Sequence, residues 1–417
     1  MAAAALDSLP PAVEDQLQEA GTCELAIGLL TFENAATVAT VTAVIRAGLE
    51  KHFAGVPVVL VNVDAGSADA TADRVTEAGL TMVRARLEAP VAERAAVPFH
   101  GVPGRGAVIR QAWAIARRLR ARALVLLEAD VTSVTDEWID RLARPVLDGV
   151  ADVVVAAHAR RRYDGTITNL LLAPLVRALF GRRLHQPLGG PTALSARALE
   201  LTLEEQPRPS SRESTDLWLA GAAIAEGLNV WEAWLGPRRV ESRTRTTDLP
   251  GMLAQAVGGV FTLMERLPAL WFDAHGSVAV PAVGESSGFL DDGPLVDVGR
   301  LVEAFQRGVR DLVPIWESVL APETLGDVLS LESDDVGRFR FPDEVWARIV
   351  YDAALGHHYS VIHRDHLLRA LVPLYLGRTA AFILATRDRD AAGDHAVLER
   401  VGTAFENEKP YLRDRWR

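Results

Sequence analysis

The chain has very little cysteine: one residue, Cys23, among 417. A lone thiol cannot close an intramolecular disulfide, and thiolates cannot build a metal site here, so the composition fits a reducing compartment. Cys23 is read as a small buried hydrophobe rather than a nucleophile. Basic charge is not in excess either. The 44 Lys and Arg face 55 Asp and Glu, a formal net charge of -11, which argues against broad binding to nucleic acid or anionic membrane while leaving room for a local basic pocket. No apolar stretch is read as reaching the ~18 residues that span a bilayer. The opening "MAAAALDSLPPAVEDQLQEAG" has no basic start and breaks at Asp7, so no signal peptide is expected. Internal repeats and low-complexity tracts are also missing. The expectation is a soluble, cytoplasmic protein with small partners, no nucleic acid and no membrane.

What is present is ordinary globular material, 49% hydrophobic and 24% charged, long enough for two or three domains. Short apolar runs at 24–32, 56–64 and 123–130 read as strands buried on both faces, and "ADVVVAAH" at 151–158 adds another. Helix-like segments separate the first three, which predicts an α/β fold around a mostly parallel sheet. A Gly-, Pro- and Ser-rich stretch at 271–294 marks a domain boundary. Beyond it, apolar residues three and four apart predict a helical domain.

Ligands of such sheets bind beyond the carboxyl ends of the strands. Those ends read "TFEN" (31–34), "VDAGSADAT" (63–71) and "EADVTS" (128–133), small or acidic in each case. Glu128 and Asp130 can serve a cation and a sugar or ribose hydroxyl, since hard divalent ions take a few carboxylate oxygens and leave sites for phosphates. The alternative is a strand end capped by solvated acids, with a helix N-cap at Ser133 or Thr135. In "GVPGRGAVIRQAW" (101–113) glycines flank Arg105 just before a helix, a pattern suited to phosphate or to a plain helix entry. "QPLGGPTALS" carries Gly189 and Gly190, either a tight turn or a main chain that must approach something closely. The histidines of "HHYSVIHRDH" fit no zinc spacing and are read as packing or solvated residues, with His358 or Arg378 open to a role near a site.

Taken in order, these segments resemble the GT-A glycosyltransferases of the mannosylglycerate, glucosylglycerate and glucosyl-3-phosphoglycerate synthase type. The resemblance covers about residues 24–250 and runs more loosely through "GRFRFPDEVWARIVYDAALGHHY" and "LVPLYLGR". "LLTFENAATV", "VNVDAGSADAT", "GRGAVIRQAW" and "LLEADVTSVTDEWI" follow the family's order, and "QPLGGPTALS" matches its most specific signature. It implies a Rossmann-like, mostly parallel nucleotide-sugar domain and a helical C-terminal domain: an extension at 1–22, a transferase domain at 23–270, a linker at 271–294 and helices at 295–417. It further implies that Thr31, Glu33, Asp64, Arg105, Glu128 and Ala129 bind the nucleotide sugar. Asp130 would hold a divalent cation, Mg²⁺ or Mn²⁺, on the diphosphate. Leu188, through its carbonyl, would lie near the anomeric centre, and Asp216 would touch the transferred sugar or the acceptor. Arg162, Asp164, Thr168 and Gly189 would bind the acceptor.

Three departures bear on function. Glu128 stands where the family has Asp. The family's metal-ligating His is missing from "LGPRRVESRTRT", which leaves Glu241 as the substitute ligand, Ser242 as a weak one, or Asp130 and phosphate alone. Metal dependence therefore stays open, because Arg238, Arg239, Arg243 and Arg245 offer another way to neutralise a leaving diphosphate, or else form a solvated basic edge. In the acceptor loop, Gly165-Thr166-Ile167-Thr168 lacks the Arg that meets a phosphate in synthases acting on 3-phosphoglycerate, which favours an unphosphorylated acceptor. The resulting expectation is a retaining transferase moving glucose, or mannose, from a nucleoside diphosphate sugar to D-glycerate or a similar small hydroxy acid. Alternatives are 3-phosphoglycerate or another acceptor, and a catalytically silent nucleotide-sugar binder. A homodimer through the helical domain is compatible with the sequence.

Overall fold

The computed structural model describes residues 9–87, 102–188, 190–204, 215–240, 249–286, 288–290, 296–331 and 336–417. The chain forms two compact units, neither continuous in sequence: Met1–Ala159 with Leu188–Thr247 and Val280–Ser287, and Arg160–Pro187 with Asp248–Ala279 and Gly288–Arg417. The division expected at 271–294 is thus not the one observed. Segments before that boundary belong with the C-terminal helices.

The first unit is built on an eight-stranded sheet. Its strands are β1 (Leu25–Thr31), β2 (Val58–Asp64), β3 (Met82–Arg86), β4 (Ala123–Glu128), β5 (Val153–Ala159), β6 (Thr192–Ser195), β7 (Val230–Pro237) and β8 (Ala282–Val283), in the spatial order β8-β7-β5-β6-β4-β1-β2-β3. β6 runs antiparallel to β4 and β5, and the other pairs are parallel, so the α/β class read from the sequence holds. β1, β4 and β5 are buried along their whole length, which is why they read as continuous apolar runs. Leu25, Ile27 and Leu29 share a core with Val38, Val41 and Ile45 of the helix Val38–His52 and with Trp138, Ile139 and Leu142 of the helix Asp136–Leu147. Each such aliphatic side chain contributes about 1.5–3 kcal/mol on full burial.

Register places the chemistry. Thr31 lies beside Asp64 and Leu30 beside Glu128, so the ends of β1, β2 and β4 reach one edge of the sheet together. The chain passes from β1 outward through β2 and β3, then returns to lay β4 on the other side of β1. Such a reversal opens a crevice at the strand ends, the usual ligand site of this architecture. A register shift between Ala157 and Ala159 lets β5 end opposite Pro237, which brings Arg238 to the same edge.

The second unit is helical. The helices Val298–Asp311 and Val372–Thr386 pack closely because Gly308 faces Pro373 and Gly377 faces the Phe305 ring. Buried tryptophans direct their N–H groups at carbonyls: Trp346 to Leu170 at 2.7 Å and Trp316 to Ala370 at 3.0 Å. A β-carbon at position 377 would lie 2.7 Å from Phe305 Cδ2. Gly377→Val is therefore expected to cost about 1–3 kcal/mol by overpacking, seen as a lower melting temperature; unchanged melting would show that the helices part easily.

One expectation needs correction. The run Arg364–Thr386 is long and apolar enough to cross a membrane by composition, with a hydropathy of 1.5. His, Arg and Pro interrupt it, so it does not form one unbroken apolar run. Most of it, 72%, is buried inside the protein, as a core helix would be.

Candidate active site

The loops after β1 and β2 are tied into one lattice. Thr31 Oγ1 donates to Asp64 Oδ1 at 3.0 Å and accepts from Asn62 Nδ2 at 3.0 Å. Asp64 Oδ2 accepts from the main-chain N–H groups of Gly66 (3.0 Å) and Ser67 (2.7 Å), while Oδ1 also takes the Ser67 hydroxyl. Ser67 Oγ in turn accepts from Glu33 N at 2.7 Å, Thr71 Oγ1 from Asn34 N at 2.7 Å, and Asp69 Oδ2 from Ala35 N at 3.0 Å. Both oxygens of Asp64 are thus engaged by the chain itself. Its observed work is to shape the loop rather than to face a base. The lattice holds the exposed Glu33 at φ 51°, a left-handed conformation costly for a non-glycine residue and maintained only where surrounding bonds over-determine it.

The acids after β4 separate into two environments. Glu128 is 3% exposed, and its Oε1 and Oε2 meet Arg105 Nη1 at 2.6 Å and Arg238 Nη2 at 2.5 Å. A buried carboxylate without such partners would cost several kcal/mol. Arg105 opens the helix Arg105–Arg118 directly after Gly104, which takes a left-handed φ of 61°. Arg238 is placed by Arg239, whose N–H meets Ser133 Oγ at 2.9 Å and whose carbonyl accepts from Thr132 N at 2.9 Å. Gly190, at φ 87°, brings the Gly-Gly loop against this pair; a β-carbon there would lie 3.2 Å from Arg238 Nη2 and 3.4 Å from Glu128 Oε2.

Asp130 differs. Its Oδ1 is shut from solvent and has no hydrogen-bond partner among the described residues. Burial pushes its carboxyl up to about 6, with the Glu128 charge adding to the rise and Arg238 and Arg105 opposing it. An uncompensated acceptor of this kind is suited to a cation. Two carboxylates against two guanidiniums leave the cluster near neutrality when both acids are ionised. Asp130 is the member of this cluster that could hold a divalent ion. Among the described residues no group of three or more His, Cys, Asp or Glu gathers for a metal, and Glu241 lies outside them.

The remaining expected residues fall as follows. Ala129 is buried, and its carbonyl accepts from Thr37 Oγ1 at 2.6 Å. Leu188 is buried and Gly189 lies outside the described residues. Asp216 belongs to the helix Thr215–Ala225, whose first residue sets its hydroxyl against Gly106, beside Arg105. Arg162, Asp164 and Thr168 belong to the second unit. There Arg162 forms an ion pair through Nε with the fully buried Asp394 at 2.9 Å and donates from Nη2 to Arg389 O at 2.9 Å, while Thr168 is buried in the turn Thr168–Leu172. The Arg162 guanidinium is therefore committed to the helices and not presented to an acceptor carboxylate. Asp164 donates its main-chain N–H to Arg161 O at 2.9 Å in the same turn. Arg378 is likewise a core residue, bonded to Asp343 and to Phe341 O at 3.1 Å, and His358 stacks on Trp416 at 4.0 Å. Cys23 is buried, and its thiol is pushed up to about 12, chiefly by burial, as an inert residue would be.

No protein-family model matches the chain, and no curated protein matches it. Solved structures do. A glucosyl-3-phosphoglycerate synthase from Mycobacterium tuberculosis, in complex with Mn²⁺, uridine diphosphate and glucosyl-3-phosphoglycerate, is 21% identical over 61% of this chain and 83% of its own, with a TM-score of 0.43. The synthase with Mn²⁺, UDP-glucose and phosphoglyceric acid is 22% identical over 63% and 86%, at 0.44. A further mycobacterial protein is 24% identical over 69% and 86%, at 0.43.

Proposed function

We propose that the protein is a hexosyltransferase, moving glucose or mannose with retention from a nucleoside diphosphate sugar to a small hydroxy acid such as D-glycerate. The observation that carries this reading is the end of β4, where a buried, unpartnered Asp130 oxygen lies next to a carboxylate flanked by two guanidiniums. Acid for a cation and fixed positive charge for phosphates are the two needs of a diphosphate leaving group. A divalent ion, when bound, would offset charge on the departing diphosphate, and Asp130 is the residue to hold it. Arg105 and Arg238 add charge-assisted hydrogen bonds in a low-dielectric site, where such bonds are strong. The Gly190 loop, which approaches the same cluster, shapes the space beside the transferred sugar.

The acceptor reading rests on the sequence of the Gly165-Thr166-Ile167-Thr168 loop, which carries no basic residue of its own, although the Arg160 guanidinium packs against Gly165. Thr166 is instead engaged with Tyr375, Oγ1 to OH at 2.5 Å. Product formation across a panel of UDP-, GDP- and ADP-linked glucose and mannose, with D-glycerate and 3-phosphoglycerate as acceptors, tests the whole reading. Transfer to D-glycerate is expected. Turnover with 3-phosphoglycerate well above that with glycerate would overturn the acceptor assignment, and nucleotide binding without any transfer would make the protein a binder.

The state of Asp130 also predicts a pH profile. Its ionised form is the one that holds a cation, so the affinity of the free protein for Mg²⁺ is expected to rise as pH increases through about 6 and to level off above it. A flat profile from pH 5 to 8 would show that its ionisation is not needed.

A further inference from the structure

The position of Glu128 at the mouth of the sheet suggests contact with a ribose or sugar hydroxyl. The geometry says otherwise. The Glu128 side chain is 2% exposed and each of its oxygens is already taken by a different arginine, whereas Arg105 and Arg238 keep 11% and 17% of their side-chain surface in solvent. The acid is almost wholly enclosed, while each of the two cations retains a small accessible surface. Arg238 Nε is buried without a hydrogen-bond partner among the described residues.

We infer that Glu128 is a positioning residue: it does not touch the donor, but fixes Arg105 and Arg238 as a two-armed guanidinium clamp for the diphosphate. The arginines come from unrelated elements, one from a helix start and one from the end of β7, and a single carboxylate spans them with contacts of 2.6 and 2.5 Å. Glutamate has one methylene more than aspartate, and that reach allows one residue to meet both. A guanidinium is a planar fork of five N–H donors, so one nitrogen given to Glu128 orients the rest of the group. Holding the clamp in place before the ligand arrives lowers the ordering cost of binding. Gly190 completes the arrangement, because a side chain there would press on Arg238 and Glu128.

This inference rests on the donor reading above, and the test separates the two. Binding of inorganic pyrophosphate, and separately of UDP, GDP and ADP, is measured by calorimetry on the full chain and on Glu128→Asp, Glu128→Gln, Arg238→Lys, Arg238→Ala and the double variant Glu128→Asp/Arg238→Ala. Circular dichroism confirms that each variant is folded. Should Glu128→Gln or Arg238→Ala fail to fold, the conservative Glu128→Asp and Arg238→Lys carry the test. Glu128→Asp and Arg238→Lys are each expected to weaken pyrophosphate binding at least tenfold. The double variant is expected to lose less than the product of the two single losses, because with Arg238 gone Glu128 has only Arg105 left to position. Wild-type pyrophosphate affinity in Glu128→Asp, or a double variant as weak as the product of the two single losses, would overturn the clamp. Pyrophosphate binding that needs the clamp, without binding of any nucleotide, would uphold this inference and sink the donor reading. Nucleotide binding lost in Asp130→Ala but untouched by every Glu128 and Arg238 variant would do the reverse, and binding of neither probe by wild type would overturn both.

Discussion

Asp130→Ala is expected to lower sugar transfer by about 10²–10³-fold, the usual loss when one preorganised electrostatic contact to developing charge is removed (about 2.7–4 kcal/mol). Asp130→Asn should fare no better, since it keeps the shape and loses the charge that attracts a cation. The same substitutions are expected to stabilise the free protein at neutral pH. The folded-state pKa of Asp130 is raised from 3.8 to about 6, so between these values the folded state binds more protons than the unfolded one. Stability then falls as pH rises through that window, and above pH 6 the full penalty of the buried charge remains. Asparagine removes it. Lower activity with a higher melting temperature is the mark of a residue kept for function at a cost in stability. Loss of both together would place Asp130 among ordinary structural residues.

Gly190→Val is expected to weaken nucleotide binding by about 10–100-fold. A non-glycine residue at φ 87° costs on the order of 1–3 kcal/mol, and the new side chain would also displace Arg238, 3.2 Å from the ideal β-carbon, from Glu128. Gly149→Val provides the control. That glycine has a positive φ of 72° but no neighbour within 4 Å, so it should lower stability by a similar strain and leave nucleotide binding unchanged. Equal effects of both substitutions on binding would mean that Gly190 serves only its own turn.

Much of the first unit was legible because burial on both faces leaves a plain mark: "LAIGLLT" and "ALVLLE" are apolar throughout, and so read as strands. β3 and β6 were missed for the opposite reasons. Met82–Arg86 alternates buried and exposed residues with two arginines, and Thr192–Ser195 is only four residues long and antiparallel in a parallel context. The discontinuous units were not readable either, because local pattern cannot show that 160–187 packs with helices more than a hundred residues later.

The site was legible in part. Strand ends rich in Asp, Ser and Thr do converge at one edge of the sheet, but their spacing does not tell which side chains face that edge and which serve the loop. Asp64, Ser67, Asp69 and Thr71 form a hydrogen-bonded lattice that one-dimensional spacing does not distinguish from a binding motif. Arg238 was visible only as one of four arginines; its pairing with Glu128, 110 residues away, is a tertiary fact. Arg162 reads as available from its polar loop, and its ion pair with Asp394, more than two hundred residues later, is a tertiary fact.

The measurement closest to the central claim is amide hydrogen exchange with and without a nucleoside diphosphate sugar, in the presence of Mg²⁺. Slowed exchange is predicted at the ends of the sheet, in 31–37, 102–108, 128–133 and 190–192, and its disappearance in Asp130→Ala. Protection confined to the helical unit, with the strand ends unchanged, would contradict the assignment of the β4 acids as the donor site.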